Sequence, residues 1–366
     1  MYALLFADTG LSGAQISVLF MIWSAVAFVA EVPTGALADR FSRRGALVAS
    51  SVLTAAGFLL WILLPTFAGF AAGFAVWSFG GALASGAFEA LLYDGLAAHG
   101  AQDRYPAVYG WVEALELLAQ LPVAAAATVL FSAGGYELVG WVSVASCLGS
   151  AVLAARLPEP PRHQGDDADD EAGPDGYLAT LRTGLAEAAR RPAVRTALIA
   201  AAVLSGLDAL EEYYPLMAAD WGVPDGKVPL ALLGIPVAGA VGAALGGWAA
   251  RLRPGTLGAL LGAGVLLFGV AGLLRLPVGL AAVAVFYGVY RMVVVVADAR
   301  LQARIAGPAR ATVTSVAGLG IEVVALLVFG AWALGGTLLV TAVMLVIAAA
   351  LPLWQRERGR VGAAGR

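Results

Sequence analysis

The sequence predicts an all-α, polytopic membrane protein of about eleven complete spans, arranged as two pseudo-symmetric helical bundles. Three observations lead there. The 366 residues are 60% hydrophobic and only 13% charged, with a mean hydropathy of +0.84, whereas soluble chains carry about 25% charged residues. Apolar segments of roughly 20 residues, each long enough to cross a ~30 Å hydrocarbon core as helix, recur along nearly the whole chain. The order of charges in the first half returns, faintly, in the second.

Breaks at charges, prolines and glycine-rich turns set the spans in order. They are Ser12–Leu37, Gly45–Leu64, Phe67–Leu92, Ala107–Phe131 and Tyr136–Leu157, then Ala193–Met217, Val228–Ala250, Thr256–Leu274, Val278–Val296, Ala311–Leu334 and Thr337–Trp354. Residues 1–7 read as the tail of one more span whose beginning lies upstream. The domains follow: an amino-terminal bundle over 1–157 with a truncated first span, a linker over 158–192, a six-span bundle over 193–354 and a tail over 355–366. The 46 glycines suit helices that pack through small residues, as at Gly69/Gly73, Gly242/Gly246 and Gly258/Gly262.

The basic residues orient the chain, because short cytoplasmic loops collect Lys and Arg. Alternate connections and the tail hold 19 of the 22 basic residues; the opposite connections hold Lys227 and Arg275, and Arg291 is left inside a span. The Gly35–Leu47 loop, the linker and the C-terminus are therefore expected in the cytoplasm. The linker stretch "EPPRHQGDDADDEAGPDG" reads as a disordered acidic tether. After it, Tyr177, Leu178, Leu181, Leu185 and Ala188 recur at the spacing of a short amphipathic helix on the inner membrane face. The single cysteine, Cys147, has no partner for a disulfide, and His99 and His163 stand in polar connections without companions at ligand spacing. No cofactor or metal is expected.

The halves repeat weakly. Arg104 precedes Glu116, and Arg310 precedes Glu322, by 12 residues; Asp94 and Asp298 end the respective preceding spans. "GGWAARLRPGTLG" stands where the second half should echo Gly35–Leu47. A parallel repeat of this kind points to two bundles related about an axis along the membrane normal.

Four charges within six residues of "GALADRFSRR" carry the closest resemblance to a known family. The stretch resembles the loop signature of the major facilitator superfamily, roughly G-x-L-a-D-r-x-G-r-r. Gly35, Leu37, Asp39, Arg40, Arg43 and Arg44 match it, and Ser42 stands in place of a glycine. "FEALLYDGL" followed by "YGWVEALE" is similar to the fourth and fifth spans of bacterial drug-efflux-like members. The R-x-x-x-G and G-P-x-x-G-G patterns of many relatives are absent from the corresponding spans. The resemblance implies a gate: Asp39 complements the start of the helix near Ala311, and Arg43 or Arg44 reaches Asp94. A basic loop serving topology alone is the alternative.

Charges inside the spans are the other candidates, since each costs about 2.5–3.5 kcal/mol or more at mid-bilayer without a partner or a wet cavity. Glu31, Glu89, Glu113, Glu116, Asp208, Glu211, Arg291 and Glu322 are assigned to proton coupling and the solute cavity, while Glu212 reads as interfacial. Depth along adjacent antiparallel spans pairs Arg291 with Glu322. Trp77, Trp111, Tyr213, Tyr214, Tyr287 and Tyr290 line the cavity or pack against lipid and other helices.

"EEYYPL" resembles the E-E-x-x-x-R of an intramembrane protease family, but position 216 is Leu, and no histidine falls in a span. An enzyme is not expected. The expectation is a secondary transporter of a small organic solute working by alternating access, proton-coupled and exporting. It sits in the cell membrane as a monomer whose partners are solute, protons and lipid, with no nucleic acid. An uptake permease, or a transporter-like sensor, remains open as the alternative.

Overall fold

In hydrocarbon a backbone must satisfy its own N–H and C=O groups, and helix does this within one segment. A computed structural model of the chain describes residues 1–40, 42–84, 87–158, 192–304 and 310–355; these are helical almost throughout, and no strand occurs among them. The expected linker helix and the tail lie outside the described residues.

Contacts divide the chain into two compact units. The first comprises Met1–Leu178, Glu212–Ala219 and Val223–Leu233; the second comprises Ala179–Glu211, Asp220–Gly222 and Gly234–Arg366.

In the first unit, α1 (Tyr2–Asp8) is followed by α2 (Gly13–Arg40), α3 (Arg43–Leu63), α4 (Phe67–Ala84), α5 (Ala87–Ala97) and α6 (Tyr105–Ala155). The short α1 is no loose end: Ala3, Leu4 and Phe6 are buried. Its rings join an aromatic core in which Tyr2 lies 5.6–6.4 Å, centroid to centroid, from Phe6, Phe20, Trp61, Phe74 and Trp77. The polar atoms of that core are matched. Trp61 Nε1 donates to the Phe70 carbonyl at 3.1 Å, and Ser78 Oγ to the Trp23 carbonyl at 2.7 Å.

The second unit holds α7 (Pro192–Gly206), α10 (Gly234–Ala244), α11 (Gly246–Ala249), α12 (Pro254–Leu274), α13 (Gly279–Arg304) and α14 (Arg310–Gln355). The short α8 (Tyr214–Asp220) and α9 (Val228–Ala231) carry the segments that, but for Asp220, belong with the first unit. Helices α10 and α13 touch backbone to backbone: a Cβ on Gly242 would stand 1.8 Å from the Gly288 carbonyl oxygen. Of the three small-residue pairs read from sequence, this is the tightest contact.

Eight segments among the described residues are long and apolar enough to cross a membrane, where the sequence led to about eleven. The difference has two causes. Leu118–Ala155 and Val316–Trp354 run 38 and 39 residues, roughly 57 Å of helix each against a ~30 Å core. Each is interrupted by a glycine in a conformation other residues avoid, Gly135 at φ 60°, ψ −155° and Gly336 at φ 54°, ψ −146°. Both interruptions fall where two spans were expected to meet. The remaining difference is Ala193–Met217, which is not one helix: α7 stops at Gly206 and a seven-residue 3-10 segment, Leu207–Tyr213, separates it from α8.

Candidate functional site: an arginine-held loop and a charge cluster

The loop after α2 is built from its caps. Ser42 adopts an extended backbone and its Oγ accepts from the Gly45 N–H at 2.9 Å, so it is the N-cap of α3. That is the physical work of the serine standing where the family signature has glycine. Starting α3 at Arg43 places two arginines in its first turn, on separate partners. Arg43 Nη1 donates to Asp94 Oδ2 on α5, and Arg44 Nη1 donates to the Leu157 carbonyl past the end of α6 at 3.4 Å. Gly35, Asp39 and Arg40 lie in α2, and their side chains are outside the described residues.

In the second unit the corresponding turn is held with the opposite polarity. Arg300, near the end of α13, donates to the Leu252 carbonyl at 3.1 Å and the Ala250 carbonyl at 3.5 Å. A guanidinium on the long helix thus binds the loop's backbone, whereas in the first unit a guanidinium from the loop binds a carboxylate on the helix.

Arg291 has a different partner from the expected one. Its Nη1 donates to Asp208 Oδ2 at 3.2 Å, and Tyr287 Oη donates to the other carboxylate oxygen, Oδ1, at 3.3 Å. Both charged side chains are half-buried, with 35% of Arg291 and 39% of Asp208 exposed. Glu211, one 3-10 turn beyond Asp208, acts electrostatically on both Arg291 and Tyr287. The pairing follows helix neighbourhood rather than depth. α13 packs against α7, α10 and α12 and barely touches α14, which carries Glu322. Tyr290, fully buried one residue before Arg291, donates to the Leu204 carbonyl at 2.7 Å. That bond sits where α7 gives way to 3-10 geometry and anchors the break to α13.

The last two residues of the 3-10 segment, Glu212 and Tyr213, belong to the first unit. Glu212 accepts from the Tyr2 hydroxyl on α1, and the Tyr213 hydroxyl lies 2.7 Å from Ser17 Oγ on α2. Glu212 thus has a partner on α1 that the sequence did not point to. The signal for the break was present in the sequence: Gly206 and Pro215 bracket the segment, and proline disfavours α-helix immediately before itself. Of the remaining candidates, Glu322 is half-buried on α14, while the side chains of Glu31, Glu89, Glu113 and Glu116 lie outside the described residues. Among the aromatics, Trp77 belongs to the first unit's aromatic core, Tyr214 and Tyr287 are buried, and Trp111 is 69% exposed.

Long apolar helices, a basic loop tied by Arg43 to a helix end and a charge cluster joining the Leu207–Tyr213 segment to α13 are the features of a polytopic membrane protein. The family model described as "Major Facilitator Superfamily" matches residues 1–329. The chain belongs to that superfamily, and it is a membrane transporter, not an enzyme.

No curated protein sequence matches it. Among solved structures, the nucleoside transporter NupG superposes with a TM-score of 0.71 at 12% identity, covering 96% of this chain and 91% of that one. A D-xylose–proton symporter gives 0.67 at 15% identity, covering 94% and 89%. A bacterial homologue of the human lysosomal transporter Spinster gives 0.64 at 16% identity, covering 96% and 94%. These likenesses concern the fold.

Proposed function

We propose that the chain is a secondary active transporter that exports a small organic solute across the cell membrane by alternating access, coupled to protons, as a monomer with its linker and C-terminus in the cytoplasm. The observation that carries this reading is the Asp208–Arg291–Tyr287 cluster, a half-buried ion pair joining the Leu207–Tyr213 segment to α13 with a second carboxylate, Glu211, beside it. A pair held, among the described residues, by one guanidinium and one hydroxyl can be opened by a charged solute group or by a proton. The unpaired partner is then costly enough to drive the next conformational step. In the same reading Gly35, Asp39, Arg40, Arg43, Arg44 and Asp94 form the cytoplasmic gate, and Glu31, Glu89, Glu113, Glu116 and Glu322 complete the intramembrane carboxylates.

Export follows from the resemblance of "FEALLYDGL" and "YGWVEALE" to drug-efflux-like spans. Uptake is the second reading, favoured by the shared fold of a D-xylose–proton symporter. Proteoliposomes with an imposed pH gradient separate them, with ethidium as the export probe and labelled xylose and uridine as uptake probes. Gradient-driven ethidium movement, abolished by a protonophore, is expected. Xylose or uridine accumulation reverses the direction, and flux of any probe indifferent to the protonophore rejects proton coupling. Asp39→Asn should impair that flux far more than it impairs folding.

A further inference from the structure

We propose that Glu212 is a proton-binding carboxylate of the transport cycle, housed in the first unit and distinct from the Asp208–Arg291 pair. The inference rests on the proton-coupled reading above and names the group that takes the proton.

Two acidic side chains of one short segment have opposite surroundings. Asp208 lies 3.2 Å from a guanidinium, which compensates its charge. Glu212 has a phenol instead: its described hydrogen bond is from Tyr2. The Tyr2 ring is itself packed by Phe6, Phe20, Trp61, Phe74 and Trp77. Phe20 also meets Tyr213, the next residue along, at 5.5 Å. The carboxylate thus stands at the rim of an aromatic core, where the ionised form is costlier to bury than the neutral acid.

The groups facing Glu212 from each packed element can be named. On α1 there are the Tyr2 hydroxyl and, at longer range, the Met1 amino group. On its own segment Tyr213 is the titratable neighbour, and that hydroxyl is engaged with Ser17 of α2. Trp61, Phe74 and Trp77 of α3 and α4 pack against the Tyr2 ring, and none of them titrates. No arginine or lysine is hydrogen-bonded to Glu212 among the described residues.

A phenol and a carboxylate make a reversible proton site. The ionised form accepts the Tyr2 hydroxyl's hydrogen bond. The protonated form keeps that bond through its carbonyl oxygen and gains a donor of its own. One proton enters, one negative charge vanishes, and no other bond need break. Uptake of that proton removes the charge while the Tyr2 contact stays in place.

Infrared titration of the purified chain in lipid nanodiscs tests this without a solute or a gradient, the proton being the probe. A carboxyl C=O band should appear and vanish reversibly as the pH is cycled. It should vanish in Glu212→Gln and persist in Asp208→Asn. In Tyr2→Phe the carboxylate loses a donor that favours its ionised form, so the midpoint should rise by about one pH unit. A band that survives Glu212→Gln, or disappears in Asp208→Asn, overturns the assignment. Should Glu212→Gln not fold, Tyr2→Phe decides alone, and an unmoved midpoint overturns it. If the wild type shows this titration but no protonophore-sensitive flux, the transport reading fails while the proton site stands. Protonophore-sensitive flux without the band sinks Glu212 and leaves the transport reading intact.

Discussion

Asp208 and Arg291 are 83 residues apart in sequence and 3.2 Å apart in space, and each half-buried charge compensates the other. Removing the guanidinium leaves a half-buried carboxylate with the Tyr287 hydroxyl as its remaining described donor. Breaking a fully buried pair from one side costs about 3–5 kcal/mol; partial exposure brings the expectation here to roughly 1–3 kcal/mol. Arg291→Ala should therefore lower the unfolding midpoint in detergent, Asp208→Asn should do the same, and the double variant should lose less than the two losses added. Strictly additive losses in that thermal double-mutant cycle would mean the pair is not energetically coupled.

The sequence made both residues conspicuous, because each interrupts an apolar run. It did not reveal that they meet. Depth along a helix is legible from residue counts, but the identity of the neighbouring helix is a property of packing. For the same reason residue counts alone pair Arg291 with Glu322 rather than with Asp208.

At the scale of elements, hydropathy located most helices, and local backbone chemistry set what it missed. The division of α6 and α14 was visible as Gly134–Gly135 and Gly335–Gly336, where two apolar runs abut. The break after α7 was not visible in hydropathy, since "LSGLDALEEYYPL" keeps an apolar residue on every turn; Gly206 and Pro215 were its only marks. Glycine spacing was legible as a tendency, while its tightness was not. Gly242 would place a Cβ 1.8 Å from the Gly288 oxygen, whereas Gly247 has nothing within 4 Å. Gly242→Val should thus cost about 1–3 kcal/mol or prevent assembly by forcing α10 from α13. Gly247→Ala should be close to neutral in the same thermal assay. Equal stability of the two variants would contradict the backbone contact between these helices.

At the scale of the whole molecule, the topology rests on a charge asymmetry that no single loop determines. The 19 basic residues on one set of connections, against Lys227 and Arg275 on the other, reflect the cost of moving Lys and Arg across the bilayer during insertion. The gate reading needs that orientation, because Arg43 and Asp94 must meet at the cytoplasmic end of their helices for the latch to close that side. Labelling tests it directly. Cys147 is the single cysteine and is only partly accessible, so Cys147→Ser supplies a clean background. Leu276, 51% exposed in the turn between α12 and α13, is predicted outside; Ala168, in the acidic linker, is predicted inside. In intact cells a membrane-impermeant maleimide should modify Leu276→Cys and spare Ala168→Cys until the membrane is permeabilised. The reverse pattern would invert the protein and place the Arg43–Asp94 latch on the external face. Modification of both from outside would mean that the number of crossings between residues 168 and 276 is even, against the three spans the sequence places there, and the break at Leu207–Tyr213 would then be the first place to look for a segment that fails to cross.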